Sequence, residues 1–201
     1  MFDALLRPII DPPLNHLGCR LSKIGISPNT MTLIGFVCGI MAMVLIGYQY
    51  YVLASLAVIA NRLADGLDGA IARHTQLSDF GGFLDIVVDF IIYSGIVFAF
   101  GISHSQYLWS ALLLIFSFIG PIASFLAYAI IASKRNINTK VRGQKSFYYL
   151  GGLCEGTETA FILVLMCWLP QYFNIICMVY GTLCWLTTIG RVYAAWIDFS
   201  D

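Results

Sequence analysis

The sequence predicts an all-α membrane protein: six transmembrane helices preceded by a short amphipathic helix on the cytoplasmic surface. Three observations predict it. First, of 201 residues 59% are hydrophobic and only 11% are charged, far from the composition of a soluble domain. Second, a hydrocarbon core about 30 Å thick needs roughly 20 apolar residues per helical crossing. Six such runs are present, over residues 30–48, 51–73, 80–102, 107–133, 156–170 and 172–196. Third, these runs are continuous, whereas the strands of a closed barrel alternate apolar and polar residues.

In chain order, Phe2, Leu5, Leu6, Ile9 and Ile10 recur at helical spacing before Pro12 and Pro13. They predict a short surface helix within residues 1–25. No cleavable signal is expected in this segment, because Arg7, Asp11, Pro12, Pro13, Arg20 and Lys23 interrupt any apolar core. Ser27, Pro28, Asn29 and Thr30 form a turn and cap for the first crossing. Gly35 and Gly39, four apart on one face, let a second helix approach closely. A short turn near Thr75–Ser78 joins the second and third runs, and Pro170 closes the weak fifth run. With no linker, repeat or composition break, residues 1–201 form one domain, whose bundle occupies residues 30–196.

Charge sets the expected topology. The formal net charge is zero, but Arg7, Arg20, Lys23, Arg73, Lys134, Arg135, Lys140, Arg142 and Lys145 all fall in alternate connections. The breaks near Gln49, over residues 102–106 and near Gln171 hold no Lys or Arg. Both termini are therefore expected in the cytoplasm. Cys19, Cys38, Cys154, Cys167, Cys177 and Cys184 lack any CxxC spacing and read as small apolar residues. His16, His74 and His104 are scattered over different loops and surfaces. Glu155 and Glu158, opening the fifth run, either complement the helix dipole or pair with a basic residue near a polar substrate.

The segment from Asn61 to Phe90 carries the chemistry. Ionisable groups inside a membrane are costly and mark functional sites. Asp65 and Asp68 are three apart and Asp85 and Asp89 four apart, so each pair shares a helical face. Antiparallel helices joined by a short turn bring all four to the cytoplasmic end of the membrane. Arg62 and Arg73 cannot neutralise four carboxylates, which leaves divalent cations as the means. All-oxygen ligation suits Mg²⁺, Mn²⁺ or Ca²⁺, and Mg²⁺ in particular takes a few carboxylates together with substrate phosphates. Gly66, Gly69, Gly81 and Gly82 leave room beside the acids.

These residues resemble a known family. Asp65, Asp68, Gly69, Ala72 and Arg73, followed by Gly81, Asp85 and Asp89, are similar to the DxxDGxxAR and GxxxDxxxD signature of the CDP-alcohol phosphotransferases. Seven residues separate Arg73 from Gly81, where the commoner form has eight, and Phe90 stands where many members carry Lys.

The resemblance implies a bacterial inner-membrane, multi-pass enzyme with its site facing the cytoplasm. It implies two Mg²⁺ or Mn²⁺ ions, with Asp65, Asp68, Asp85 and Asp89 as metal ligands and Asp89 also as general base. Gly69, Ala72 and Arg73 would line the cytidine nucleotide. Lys134, Arg135, Arg142 and Lys145 would bind an anionic acceptor or phosphate, or else acidic membrane lipids. The implied reaction moves a phosphatidyl group from CDP-diacylglycerol to an alcohol and releases CMP. Transfer from a soluble CDP-alcohol to a lipid acceptor is the alternative, and a cation or proton transporter using the acids is the alternative of another class. Expected partners are a CDP-linked lipid donor, a small polar alcohol or lipid acceptor, membrane lipids and a second copy in a homodimer, with no nucleic acid.

Overall fold

The computed structural model describes residues 3–135 and 152–200. Lys140, Arg142 and Lys145 lie outside the described residues, which form seven α-helices and two short 3-10 turns, without strands.

The first helix, α1 (Asp3–Lys23), is longer than its prolines suggest. Pro8, Pro12 and Pro13 all sit inside it, although each removes a backbone donor and disfavours the preceding turn. Tertiary packing accounts for this. Gly18 lies so close to the third helix, α3 (Tyr51–His74), that a Cβ there would be 2.7 Å from the Ala70 Cβ, and Leu14 fills the notch at Gly66. A helix is therefore present where the sequence predicts one, but it is longer than expected, running past Pro12 and Pro13 and docking on α3.

α2 (Pro28–Gly47) starts as its cap residues dictate. Ser27 accepts a hydrogen bond from the Thr30 backbone N–H at 3.1 Å, and Pro28 takes the first turn, where its missing donor is harmless. A tight turn with Gln49 in the left-handed region (φ 66°) leads into α3 (Tyr51–His74). α4 (Asp79–Ser103) follows after four residues, capped by Ser78, which accepts from the Gly81 N–H at 3.0 Å. α5 (Leu108–Lys134), α6 (Gly156–Trp168) and α7 (Phe173–Phe199) complete the bundle.

Small residues seat the helices against one another, as in membranes generally, where lipid offers no hydrophobic gain for helix contact. A Cβ at Gly35 would stand 3.1 Å from that of Ala64 on α3, and one at Gly39 would collide with Ile92 on α4. The Gly35–Gly39 face read from the sequence is thus the seam where α2 meets both helices of the acidic motif. Gly120 against Thr188 and Gly181 against Ser117 make the equivalent seam between α5 and α7. At the far end, Tyr51, Phe100, Phe173 and Tyr107 stack in series and Trp168 donates to Ser55 at 3.1 Å. Leu33, Val37, Val44, Phe98, Phe116, Ile130, Ile175 and Val179 face outward, a surface that hydrocarbon would cover.

Four segments, Pro28–Gly47, Asp79–Ser103, Ser105–Lys134 and Pro170–Phe199, are long and apolar enough to cross a membrane. α3 has the length, but its Arg62, Asp65, Asp68 and Arg73 break the apolar run. α6, with 13 residues, reaches about 20 Å at 1.5 Å per residue. Helices occupy all six expected positions, and length and composition alone qualify four of them.

Candidate active site

α3 and α4 are joined so tightly that the last turns of one face the first turns of the other. Three carboxylates meet there: one oxygen from each of Asp65, Asp68 and Asp85 lies within 4.8 Å of the other two. Oxygens around one Mg²⁺ stand about 3.0 Å apart when adjacent and about 4.2 Å when opposite, given bonds of about 2.1 Å. The 4.8 Å limit of this cluster lies slightly beyond that span, so a small rotamer adjustment would bring the three oxygens onto a single hard cation. Asp68 is buried, and the Thr32 hydroxyl on α2 donates to it at 2.6 Å. That bond fixes the orientation of the Asp68 carboxylate.

Asp89, one turn beyond Asp85, is held differently. Arg62 Nη2 donates to its Oδ1 at 2.6 Å, and the Tyr93 hydroxyl donates to its Oδ2 at 3.0 Å. Arg62 also donates through Nη1 to the Tyr93 oxygen and through Nε to Asn61 Oδ1 at 2.8 Å, and its guanidinium lies 4.8 Å from the Tyr93 ring centre. Asn61 in turn donates to the Gly35 carbonyl at 2.8 Å, tying the network to the α2 seam. Asp65 stands 3.6 Å from Arg62 Nη1.

A cavity of about 830 Å³ opens over these acids, walled by α1, α3, α4, α5, α6 and α7. Asp65, Asp68, Gly69, Arg73, Gly82, Asp85 and Asp89 all line it. Arg73 reaches back over Gly69, where a Cβ would be 3.5 Å from its Nη1, and donates from Nε to Asn15 on α1 at 2.9 Å. Ala72 is half-buried and lies off the cavity wall. Gly81 serves the α4 cap.

Of the four basic residues expected to contact an anion, Arg142 and Lys145 lie outside the described residues. Lys134 and Arg135 end α5 away from the cavity wall, and Arg135 caps α7 by donating to the Phe199 carbonyl at 3.1 Å. A basic residue that sequence reading passed over lies in the wall instead. Arg191 on α7 is buried, donates to the Pro121 carbonyl at 2.8 Å and sits 5.8 Å from the Phe125 ring centre. A lone arginine well inside an apolar run was the signal for it. Tyr93, Thr32 and Asn15 carried no signal, since a single hydroxyl or amide is common at membrane helix ends.

Comparison with known proteins agrees with this geometry. The profile of the CDP-alcohol phosphatidyltransferase family matches residues 25–194. The inner membrane protein YnjF of Escherichia coli is 43% identical over 202 aligned positions, covering 100% of this chain and 98% of that protein. The archaetidylinositol phosphate synthase of Pyrococcus horikoshii is 30% identical and covers 94% of each chain. Among solved structures, Mycobacterium tuberculosis phosphatidylinositol phosphate synthase with CDP-DAG bound superposes with a TM-score of 0.73 at 18% identity, covering 91% of this chain and 93% of that one. The same protein in complex with manganese and citrate gives 0.71 at 17% identity, covering 91% and 88%. At such identities the structural likeness speaks for the fold. The profile match and the two relatives speak for descent, and with an acidic cluster at one end of an α-helical bundle they make this chain a phosphotransferase of the CDP-alcohol phosphatidyltransferase family.

Proposed function

We propose that the protein transfers a phosphatidyl group from CDP-diacylglycerol to the hydroxyl of a small polar alcohol, releasing CMP, with Mg²⁺ or Mn²⁺ bound at Asp65, Asp68 and Asp85. The observation that carries this reading is the three-carboxylate cluster with Asp89 beside it on the wall of one cavity. α3 and α6 then cross the membrane with the four longer helices, giving six spans, with the acids at the cytoplasmic end.

Mg²⁺ or Mn²⁺ held by Asp65, Asp68 and Asp85 would supply positive charge for the donor's diphosphate and for the leaving oxygen. The chain's own residues do the rest. Thr32 orients Asp68, and Arg62 with Tyr93 orients Asp89. Asp89 takes the proton of the acceptor hydroxyl; each of its oxygens has one bond from the protein and keeps a second acceptor position. The acceptor oxygen forms a bond to the phosphatidyl phosphorus as the bond from that phosphorus to CMP breaks. Arg73, planar and anchored at Nε by Asn15, presents its remaining N–H groups to phosphate oxygens, and Gly69 lets the nucleotide approach the backbone.

Two features favour a phosphorylated polyol as acceptor over serine or a neutral alcohol. Arg191 places a cation in the wall formed by α7, on a helix other than those carrying the acids. The Pyrococcus relative is named for an inositol phosphate product. Purified protein given CDP-diacylglycerol, Mn²⁺ and either inositol phosphate, glycerol phosphate or serine should form lipid from a phosphorylated polyol. Product from serine alone would overturn the acceptor class. Product made only when a soluble CDP-alcohol and a lipid acceptor replace these substrates would overturn the donor.

A further inference from the structure

Arg62 is a cation built into an acidic site, and its position makes a prediction about metal occupancy. Its three donor nitrogens are all engaged within the protein, on Asn61, Tyr93 and Asp89, and it also stands 3.6 Å from Asp65. Its side chain retains 14% of its accessible surface, and Asn61 and Tyr93 are buried. This is a fixed fork, unlike a mobile surface arginine. The pairing matters because Asp89 lies one turn from Asp85, where it could otherwise serve as a ligand.

Formal charge gives the consequence. The four carboxylates and Arg62 carry a net charge of minus three. One divalent ion at Asp65, Asp68 and Asp85 leaves the group at minus one. A second ion without substrate would drive it to plus one, with that ion set against a guanidinium in a partly dehydrated site, where charges interact several times more strongly than in water. The two negative charges of a diphosphate diester bring the balance back to minus one. We infer that Arg62 is a positioning residue which holds Asp89 back from metal ligation, so that the resting site takes a single divalent ion and the second enters only with the diphosphate donor. The inference rests on the transferase reading above and concerns the order in which its charges assemble. It also gives the site a defence against idle occupation. Without donor, Asp89 stays paired with Arg62 and off the metal; with donor, the diphosphate supplies the negative charge and the oxygens that the second ion needs, while Arg62 and Tyr93 keep Asp89 aimed at the acceptor.

The test counts Mn²⁺ by electron paramagnetic resonance and equilibrium dialysis on the full-length protein in detergent. Wild type should bind one tight ion alone and two when CDP-diacylglycerol is present in the micelles, a comparison that needs no variant. Arg62→Met should bind a second ion without donor, at least about tenfold more tightly than wild type does. Arg62→Lys, which keeps the charge, should remain at one ion, and so should Tyr93→Phe, which keeps the Arg62–Asp89 pair. Two tight ions on donor-free wild type, or one ion on a well-folded Arg62→Met, would overturn the inference. If such a protein still released CMP from CDP-diacylglycerol, the transferase reading would survive that failure. A wild type that bound no Mn²⁺ under any condition and released no CMP would remove both.

Discussion

Replacing Thr32 with valine tests the support of the acidic cluster without touching any proposed ligand. Valine matches threonine in shape but lacks the hydroxyl, and Thr32 is buried at 5% exposure, so the substitution deletes a hydrogen bond rather than opening a void. The deleted bond is short, 2.6 Å to Asp68 Oδ2, and has a charged acceptor. Hydrogen bonds to charged groups contribute about 1.5–3 kcal/mol, equivalent to roughly ten- to hundredfold in an equilibrium constant. Partners that orient a metal ligand show a similar range of effect on metal affinity. Titrating CMP release against Mn²⁺ should therefore show half-saturation raised roughly ten- to hundredfold in Thr32→Val. At saturating Mn²⁺ the rate should recover to near the wild-type value, since no reacting group has been removed. An unchanged half-saturation would refute the reasoning that Thr32 orients Asp68 for a cation. A rate that excess metal fails to restore would show instead that Thr32 acts on the bundle or on substrate.

Other substitutions probe other parts of the account. Asp89→Asn keeps the shape and the contact with Arg62 but removes the proton acceptor; CMP release should fall roughly a hundred- to ten-thousandfold, while size-exclusion behaviour stays that of wild type. Arg73→Lys loses the planar fork over Gly69, and the apparent KM for donor should rise about tenfold with little change in metal dependence. Gly39→Leu forces a side chain into Ile92 at the α2–α4 seam; the cost of overpacking is about 1–3 kcal/mol, and thermal unfolding in detergent should fall accordingly. A reporter fused after Asp201 should be found on the cytoplasmic side, and an external signal there would reverse the topology.

The sequence disclosed the parts of this protein that depend on local spacing. Asp65, Asp68, Asp85 and Asp89 could be placed on two facing helices because three- and four-residue intervals fix a helical face whatever the surroundings. Gly35 and Gly39 announced a close seam for the same reason, and Ser27 caps the helix it precedes. What stayed hidden depends on which helix meets which, and at what height. Arg62 was visible as a charge, but its bonds to Asp89 and Tyr93 require the register between α3 and α4. The continuation of α1 through Pro12 and Pro13 was hidden too, because it follows from the fit of Leu14 and Gly18 on α3 rather than from helix propensity. Arg191 enters the cavity from α7, more than a hundred residues from the acids in sequence, and only the fold brings it near.

The central claim is that four aspartates and a divalent ion act on a CDP-linked lipid. Its most direct measurement is CMP release by the purified protein from CDP-diacylglycerol, with a panel of alcohols and with Mn²⁺ either supplied or chelated. The account predicts CMP and a new phospholipid in equal amounts, formed only when both the ion and an acceptor are present. CMP formed at the same rate without any acceptor, or lipid formed equally well in the presence of chelator, would contradict it.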